Sequence, residues 1–206
     1  MEKNKLNFHE LLTGEGNQLR YVKRFSTSRV MHMENIAEHS FFTAFFSLII
    51  GKWAISHGHI VDMGLLAQKA LFHDIEEQFT GDIIRPVKYG KSGLIKRCLD
   101  ETSEYFVTEF FDKIFPGNQV NSTHFILLWK NAKEFPSNEA YILRFADFCS
   151  VLSYLYQEVH GGNRLVMQSI NGLVEHCKLF QNVQYNFIRE LVDESYIIVN
   201  YLTEAN

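Results

Sequence analysis

Apolar residues recur along this chain at steps of three and four, the period of one helix face, in segment after segment. Residues 6–13 form a short amphipathic stretch that Gly14 closes. A polar, turn-rich stretch with Arg20, Lys23, Arg24 and Arg29 follows through about Glu34. Over 35–57 the pattern predicts a strongly apolar helix, with Asn35 as N-cap and Glu38 as its capping-box partner. Its most apolar run, Phe41 to Ile50, is about half the length needed to cross a bilayer. It reads as a buried core helix, with Phe41, Phe42, Phe45 and Phe46 in the core. Asp62 is expected to cap the next helix, which carries Leu65, Leu66, Ala70 and Leu71 and breaks at Thr80-Gly81-Asp82. Residues 83–88 are expected to be extended, because Pro86 disfavours helix at Arg85. A long helix over 92–115 stops at Pro116-Gly117-Asn118, and another over 122–134 ends before Pro136. Ser137 or Asn138 caps a helix that runs to His160 and stops at Gly161-Gly162. Helices over 163–180 and 184–203 complete an all-α bundle of about seven or eight helices. With no repeat, low-complexity segment or long linker, residues 1–206 are expected to form a single domain.

The net charge of −4 supplies no global basic field, so a nucleic-acid-coating role is not expected, whereas a local basic cluster for a small anionic substrate is compatible with it. Cys98, Cys149 and Cys177 are far apart and form no CxxC pair, which points to neither a disulfide framework nor a thiolate zinc site. The residues after Met1 show no secretory leader, so a cytoplasmic protein without a membrane segment is expected.

Chemistry gathers at a few points. His73-Asp74 stands near the end of a predicted helix and is followed by Ile75-Glu76-Glu77. By composition about 0.3 such dipeptides arise by chance, so the context carries the signal. Glu34-Asn35-Ile36-Ala37-Glu38-His39-Ser40 sets a histidine at the start of the apolar helix, and Arg144-Phe145-Ala146-Asp147 sets a carboxylate inside an aliphatic-aromatic helical segment. An ionised aspartate there is costly unless paired or bound to a cation. Two imidazoles and two carboxylates suit Mn, Fe, Co, Ni, Zn or Mg rather than a soft metal. Four protein ligands leave room for water and a phosphate oxygen on an ion that prefers six.

The order His39…His73-Asp74…Asp147 resembles the HD-domain phosphohydrolase superfamily. The flanking Arg24, Glu34 to Ser40, His73 to Glu77, Thr80-Gly81-Asp82, Pro86-Val87-Lys88 and Ala146-Asp147 resemble its bacterial 5′-deoxynucleotidase (YfbR-like) branch across roughly residues 20 to 160. The resemblance implies one divalent metal ion on His39, His73, Asp74 and Asp147, Glu77 as the catalytic acid, Arg24 on the substrate phosphate and Asp82 beside the sugar. It also implies a homodimer acting on phosphates of nucleotides or nucleoside analogues, mono- to triphosphates. Glu77 lies four residues after His73, a spacing that shares one helix face, and a planar guanidinium suits phosphate better than lysine does. The sequence departs from the branch at Phe25, where nucleotidase members often carry Trp near the deoxyribose; a smaller aromatic leaves room for an altered sugar. Lys88 and Lys91 follow Asp82 and are expected either at a polyphosphate tail or in solvent.

Two other functions are weighed. Alarmone hydrolysis, of guanosine tetraphosphate, is disfavoured because Gln78 follows Glu77 where that branch carries a Glu-Asp pair. A non-catalytic nucleotide sensor has no need of all four ligands together with Glu77. The remaining histidines lack partners at metal spacing, and no His-His pair suggests a second metal.

Overall fold

The computed structural model describes residues 5–88, 93–132 and 136–204. Helix α1 (Phe8–Thr13) leads into a 3-10 turn (Glu15–Arg20) and a loop, after which α2 (Ile36–Ser56) begins. The expected capping box is present: Asn35 Oδ1 accepts the Glu38 N–H and Glu38 Oε2 accepts the Asn35 N–H, both at 3.0 Å. Asp62 caps α3 (Met63–Phe72) by accepting the Leu65 N–H at 2.9 Å. Helix α3 stops at Phe72, short of the expected break, and a turn through His73 and Glu76 separates it from the brief α4 (Glu77–Thr80). Gly81, at φ +71°, ends α4 in a left-handed conformation that glycine adopts without steric cost.

The expectation of an extended 83–88 is corrected, since Arg85–Lys88 forms a helical turn, α5. Pro86 falls in its first turn, where a helix leaves its N–H groups unpaired, so proline removes nothing there. Helix α6 (Leu94–Ile114) matches the long expected element; the expected start at Ser92 lies outside the described residues. Helix α7 (Gln119–Lys130) starts three residues early because Asn118 caps it. Ser137 caps α8 (Asn138–His160) by accepting the Ala140 N–H at 3.1 Å. Helices α9 (Met167–Lys178) and α10 (Arg189–Glu204) are shorter than expected because 3-10 turns flank them. Among the described residues no segment forms a strand, and no helix is long and apolar enough to cross a membrane.

Helix α2 packs chiefly on α8 and α3. A side chain at Gly51 would meet Leu66 at 2.8 Å, so the absence of one lets α3 lie close. The buried face of α2 sets the small or polar His39, Ser40, Thr43, Ala44, Ser47 and Gly51 among the aliphatic Ile36, Ile50 and Ala54. Phe41, Phe42 and Phe45, expected in the core, are 61%, 45% and 49% exposed on the opposite face, and only Phe46 packs partly against the core. Periodicity locates both faces of a helix; it cannot say which is buried when both carry apolar residues.

Among the described residues two apolar cores result. The larger gathers Phe145, Phe148, Leu155, Ile170, Phe180 and Ile188 from α8 to α10, with Ala54 and Leu66. The smaller holds Ile75, Val107, Phe110, Phe111 and Ile114, with Phe72, Phe79 and Phe125 against it. Helix α3 contributes Leu66 and Ala70 to the first core and Phe72 to the second. The His73-Asp74 turn therefore lies at the junction between them, anchored on both sides.

Candidate active site

Three elements converge at that junction. His39 stands in the first turn of α2, His73 and Asp74 in the turn after α3, and Asp147 near the middle of α8. His39 Nε2 is 3.1 Å from Asp147 Oδ1 and 3.7 Å from Asp74 Oδ2, and His73 Nε2 is 2.9 Å from Asp74 Oδ2. The ligand atoms of His39, His73 and Asp74 all lie within 4.8 Å of one another. Three of the four residues expected as metal ligands thus lie within ligand distance of one another, and Asp147 stands against His39 at their edge.

The outer ring nitrogen fixes the tautomer of His73. His73 Nδ1 lies 2.8 Å from the Ala70 carbonyl, which can only accept, so Nδ1 carries the hydrogen. In a neutral ring Nε2 carries the lone pair; it is buried, has no hydrogen-bond partner and faces an aspartate oxygen. A lone pair opposed to a carboxylate is favourable only with a cation between them. His39 sets Nδ1 on Ser150 Oγ at 3.1 Å, a hydroxyl that can donate or accept, and Nε2 toward Thr43 Oγ1 and the carboxylates. Burial, reinforced by the nearby Arg24 charge, lowers the His39 pKa to about 4, so the ring is neutral and able to ligate at neutral pH. Such support of the distal nitrogen is what metal-binding imidazoles require.

Glu77 opens α4 beside this centre, and Asp74, Glu76 and Glu77 form a second group with ligand atoms within 4.8 Å. Burial, then the charges of Asp74, Asp82 and Glu76, hold the Glu77 carboxyl well above the usual carboxylate range, with Arg24 opposing. Glu76 accepts the indole N–H of Trp129 at 2.7 Å, tying α4 to α7.

Arg24 lies across from the acidic residues. Its loop is closed at the base, since the Arg24 N–H donates to the Glu34 carbonyl at 2.9 Å and the Ile36 N–H to Val22 at 3.1 Å. Burial alone would lower the Arg24 pKa, but Glu34, Asp147, Asp74 and Asp82 outweigh it, and the guanidinium stays charged. Arg24 Nε and Nη1 are buried donors without a hydrogen-bond partner, although Glu34 Oε2 is 3.4 Å from Nε. Glu34 is itself raised to about 7, by burial first and against the pull of Arg24. A buried guanidinium with spare donors beside acceptor-rich aspartates suits an anion brought by a substrate.

Phe25 adopts φ +54°, the left-handed region that costs a non-glycine residue roughly 1–2 kcal/mol. Asp82, whose pKa burial raises, accepts the Phe25 backbone N–H, so Arg24, Phe25 and Asp82 adjoin. The Lys88 charge acts on Asp82, and Lys88 lines a cavity of about 330 Å³ that begins at His73 and Glu76. Lys91 lies outside the described residues.

The sequence left Ser150, Tyr154 and Glu158 without a role, and Glu34 only as part of a motif. Their signal was present: from Asp147, polar groups recur at steps of three, four and four along an apolar helix, which is one helix face.

Residues 13–195 match the model of the YfbR-like 5′-deoxynucleotidase family. A 5′-deoxynucleotidase of Vibrio vulnificus is 28% identical over 151 residues, 71% of this chain and 73% of that protein. Another, of Pasteurella multocida, is 39% identical over 74 residues; the match spans 35% of this chain and only 37% of that relative's length. Among solved structures, an HD-domain phosphohydrolase of Listeria innocua superposes with a TM-score of 0.76 at 20% identity, covering 97% of this chain and 99% of that one. The cyanophage S-2L HD phosphohydrolase, solved with dA and one catalytic zinc ion, gives 0.55 at 17% identity over 94% and 97% of the two chains. Both likenesses show the fold.

Proposed function

The chain belongs to the YfbR-like 5′-deoxynucleotidase family, and from that premise we propose that it hydrolyses the phosphate ester of deoxynucleotides or their analogues at the junction of its two cores. The observation that carries this reading is the buried, unpartnered His73 Nε2 facing Asp74 while the buried donors of Arg24 stand unpaired nearby. One feature calls for a cation and the other for an anion.

His39, His73, Asp74 and Asp147 would hold one divalent ion, for which their mixed nitrogen and oxygen donors suit Mn, Co, Fe, Ni, Zn or Mg; the structurally similar phage enzyme was solved with zinc. When bound, the ion supplies Lewis-acid polarisation of the phosphoryl group and acidifies water. Arg24 neutralises charge that builds on the phosphoryl oxygens. Glu77 takes a proton as water oxygen bonds to phosphorus, and returns it to the nucleoside oxygen as the P–O bond breaks, yielding nucleoside and inorganic phosphate. Its raised pKa, set first by burial, fits a group that holds a proton part-way through the reaction. Phe25 and Asp82 flank the sugar, and Lys88 lies where a longer phosphate chain would extend.

The exposed Phe41, Phe42, Phe45 and Ile49 on α2 support a homodimer, because a contiguous apolar face of this kind marks an interaction surface. Three free cysteines support a reducing, cytoplasmic setting. The test is a nucleotide panel, mono- to triphosphates of both sugars, with metal-stripped protein reloaded with Mg, Mn, Co or Zn. Phosphate release that depends on the added metal is expected; full release from stripped protein, or none with any metal, overturns the reading.

A further inference from the structure

One face of α8 reaches beyond the metal ligands. Asp147 and Ser150 meet His39, and the next two positions of the stripe, Tyr154 and Glu158, grip the loop that carries Arg24 and Phe25. The Tyr154 ring stacks on Phe25 with centroids 4.9 Å apart and planes at 17°. Its hydroxyl donates to the His32 carbonyl at 2.5 Å. Glu158 accepts the backbone N–H groups of Met31 and His32 at 2.8 and 2.9 Å, and Asn163 links Glu158 to the Arg29 carbonyl. Phe25 is thereby held from several sides: Tyr154 on its ring, the Arg24 guanidinium 5.8 Å from its centroid, and Asp82 on its N–H. A left-handed phenylalanine persists only where neighbours over-determine it.

We propose that Tyr154 is a positioning residue that sets sugar selectivity through Phe25. The flat face of Tyr154 keeps the Phe25 ring from swinging, which fixes the distance between that ring and Asp82. A fixed wall discriminates between sugars with and without a 2′-hydroxyl; a mobile wall accepts both more evenly. The inference rests on the proposed placement of the sugar between Phe25 and Asp82.

Two variants and one assay test it. Tyr154→Leu keeps the bulk and removes the flat partner; Tyr154→Phe keeps the stack and removes only the hydroxyl. Each is assayed on paired 2′-deoxy and ribonucleoside monophosphates with the metal that best supports the wild type. Tyr154→Leu is expected to raise KM for the preferred sugar about three- to tenfold, the scale of a lost aromatic pair. It is also expected to shrink the ratio of kcat/KM between the two sugars by a similar factor, with kcat and metal content held. Tyr154→Phe is expected to restore both. An unchanged KM and ratio in Tyr154→Leu overturns the proposal. So does equal damage in Tyr154→Phe, or a fall in kcat together with metal content, which marks a general structural role. If the wild type releases phosphate from no nucleotide, the proposed function falls and the inference with it; if the wild type turns over and Tyr154→Leu matches it, only the inference falls.

Discussion

The two faces of α2 depart from the usual order. The inner face buries His39, Ser40, Thr43 and Ser47 alongside Ile36 and Ile50, while the outer face presents the large Phe41, Phe42, Phe45 and Ile49 to the surroundings. A soluble helix ordinarily turns its large apolar residues inward. Here the interior takes small and polar groups because it must admit two close helices and hold an imidazole whose ring nitrogens point to Ser150 on one side and to carboxylates on the other. Chemistry and close packing occupy the inside, and the apolar surplus goes outward, where a second copy of the chain is the proposed cover.

The inner face is tested hardest by removing its metal chemistry. In His73→Ala, turnover is expected to fall below detection with every metal, and bound metal measured by elemental analysis is expected to drop. Ion binding at about a hundredfold above Kd stabilises a fold by about 2.7 kcal/mol. For a domain of this size that raises Tm by roughly 5–10 °C, a rise expected in the wild type and absent in the variant. A metal-dependent rise retained in His73→Ala would place the ion elsewhere. Glu77→Gln separates chemistry from binding: turnover is expected to fall about 10²- to 10⁴-fold, the range of a lost proton-transfer group, with metal content and the thermal shift preserved.

A smaller effect belongs to the hidden support of His39. Ser150→Ala leaves the imidazole Nδ1 buried without a partner, which costs about 1–3 kcal/mol of stability. Loss of a group that orients a metal ligand lowers metal affinity about 10- to 100-fold, so titration of stripped protein should show weaker uptake with near-normal turnover at saturating metal. Unchanged affinity would mean that α8 serves His39 only as packing.

Legibility in the sequence followed the same division. Caps were readable because their partners are local: Asn35 with Glu38, Asp62 with Leu65, Ser137 with Ala140. The set His39, His73, Asp74 and Asp147 stands out in the sequence through the costly aspartate in an apolar helix and the family resemblance; the structure sets His39, His73 and Asp74 within 4.8 Å of one another and Asp147 Oδ1 3.1 Å from His39 Nε2. The direction of the α2 phenylalanines was not readable, because the polar character of the inner face follows from what α8 and α3 bring to it. Arg85–Lys88 departs from the extended expectation because the rule for the residue before proline yields to a helix start, where the missing N–H costs nothing. Tyr154 and Glu158 escaped notice because their partners lie more than a hundred residues away in the loop before α2.

The outer face gives the gentlest test, since the substitution touches no buried group. Phe45→Lys places a charge in the middle of the apolar patch while leaving the inner face of α2 intact. Exposed substitutions of this kind change the stability of a folded chain by about 0.5 kcal/mol or less, so any larger consequence must come from association. The wild type is expected to sediment as twice the 24.0 kDa chain and the variant as a single chain at micromolar concentration. Desolvating a lysine against a second apolar surface is costly, and a symmetric contact meets that cost on both subunits. If wild type and variant both sediment as single chains, the apolar outer face has no partner of its own kind and the arrangement of α2 serves the inner site alone. If both remain dimers, the contact lies on another face, and the exposed phenylalanines need a different occupant.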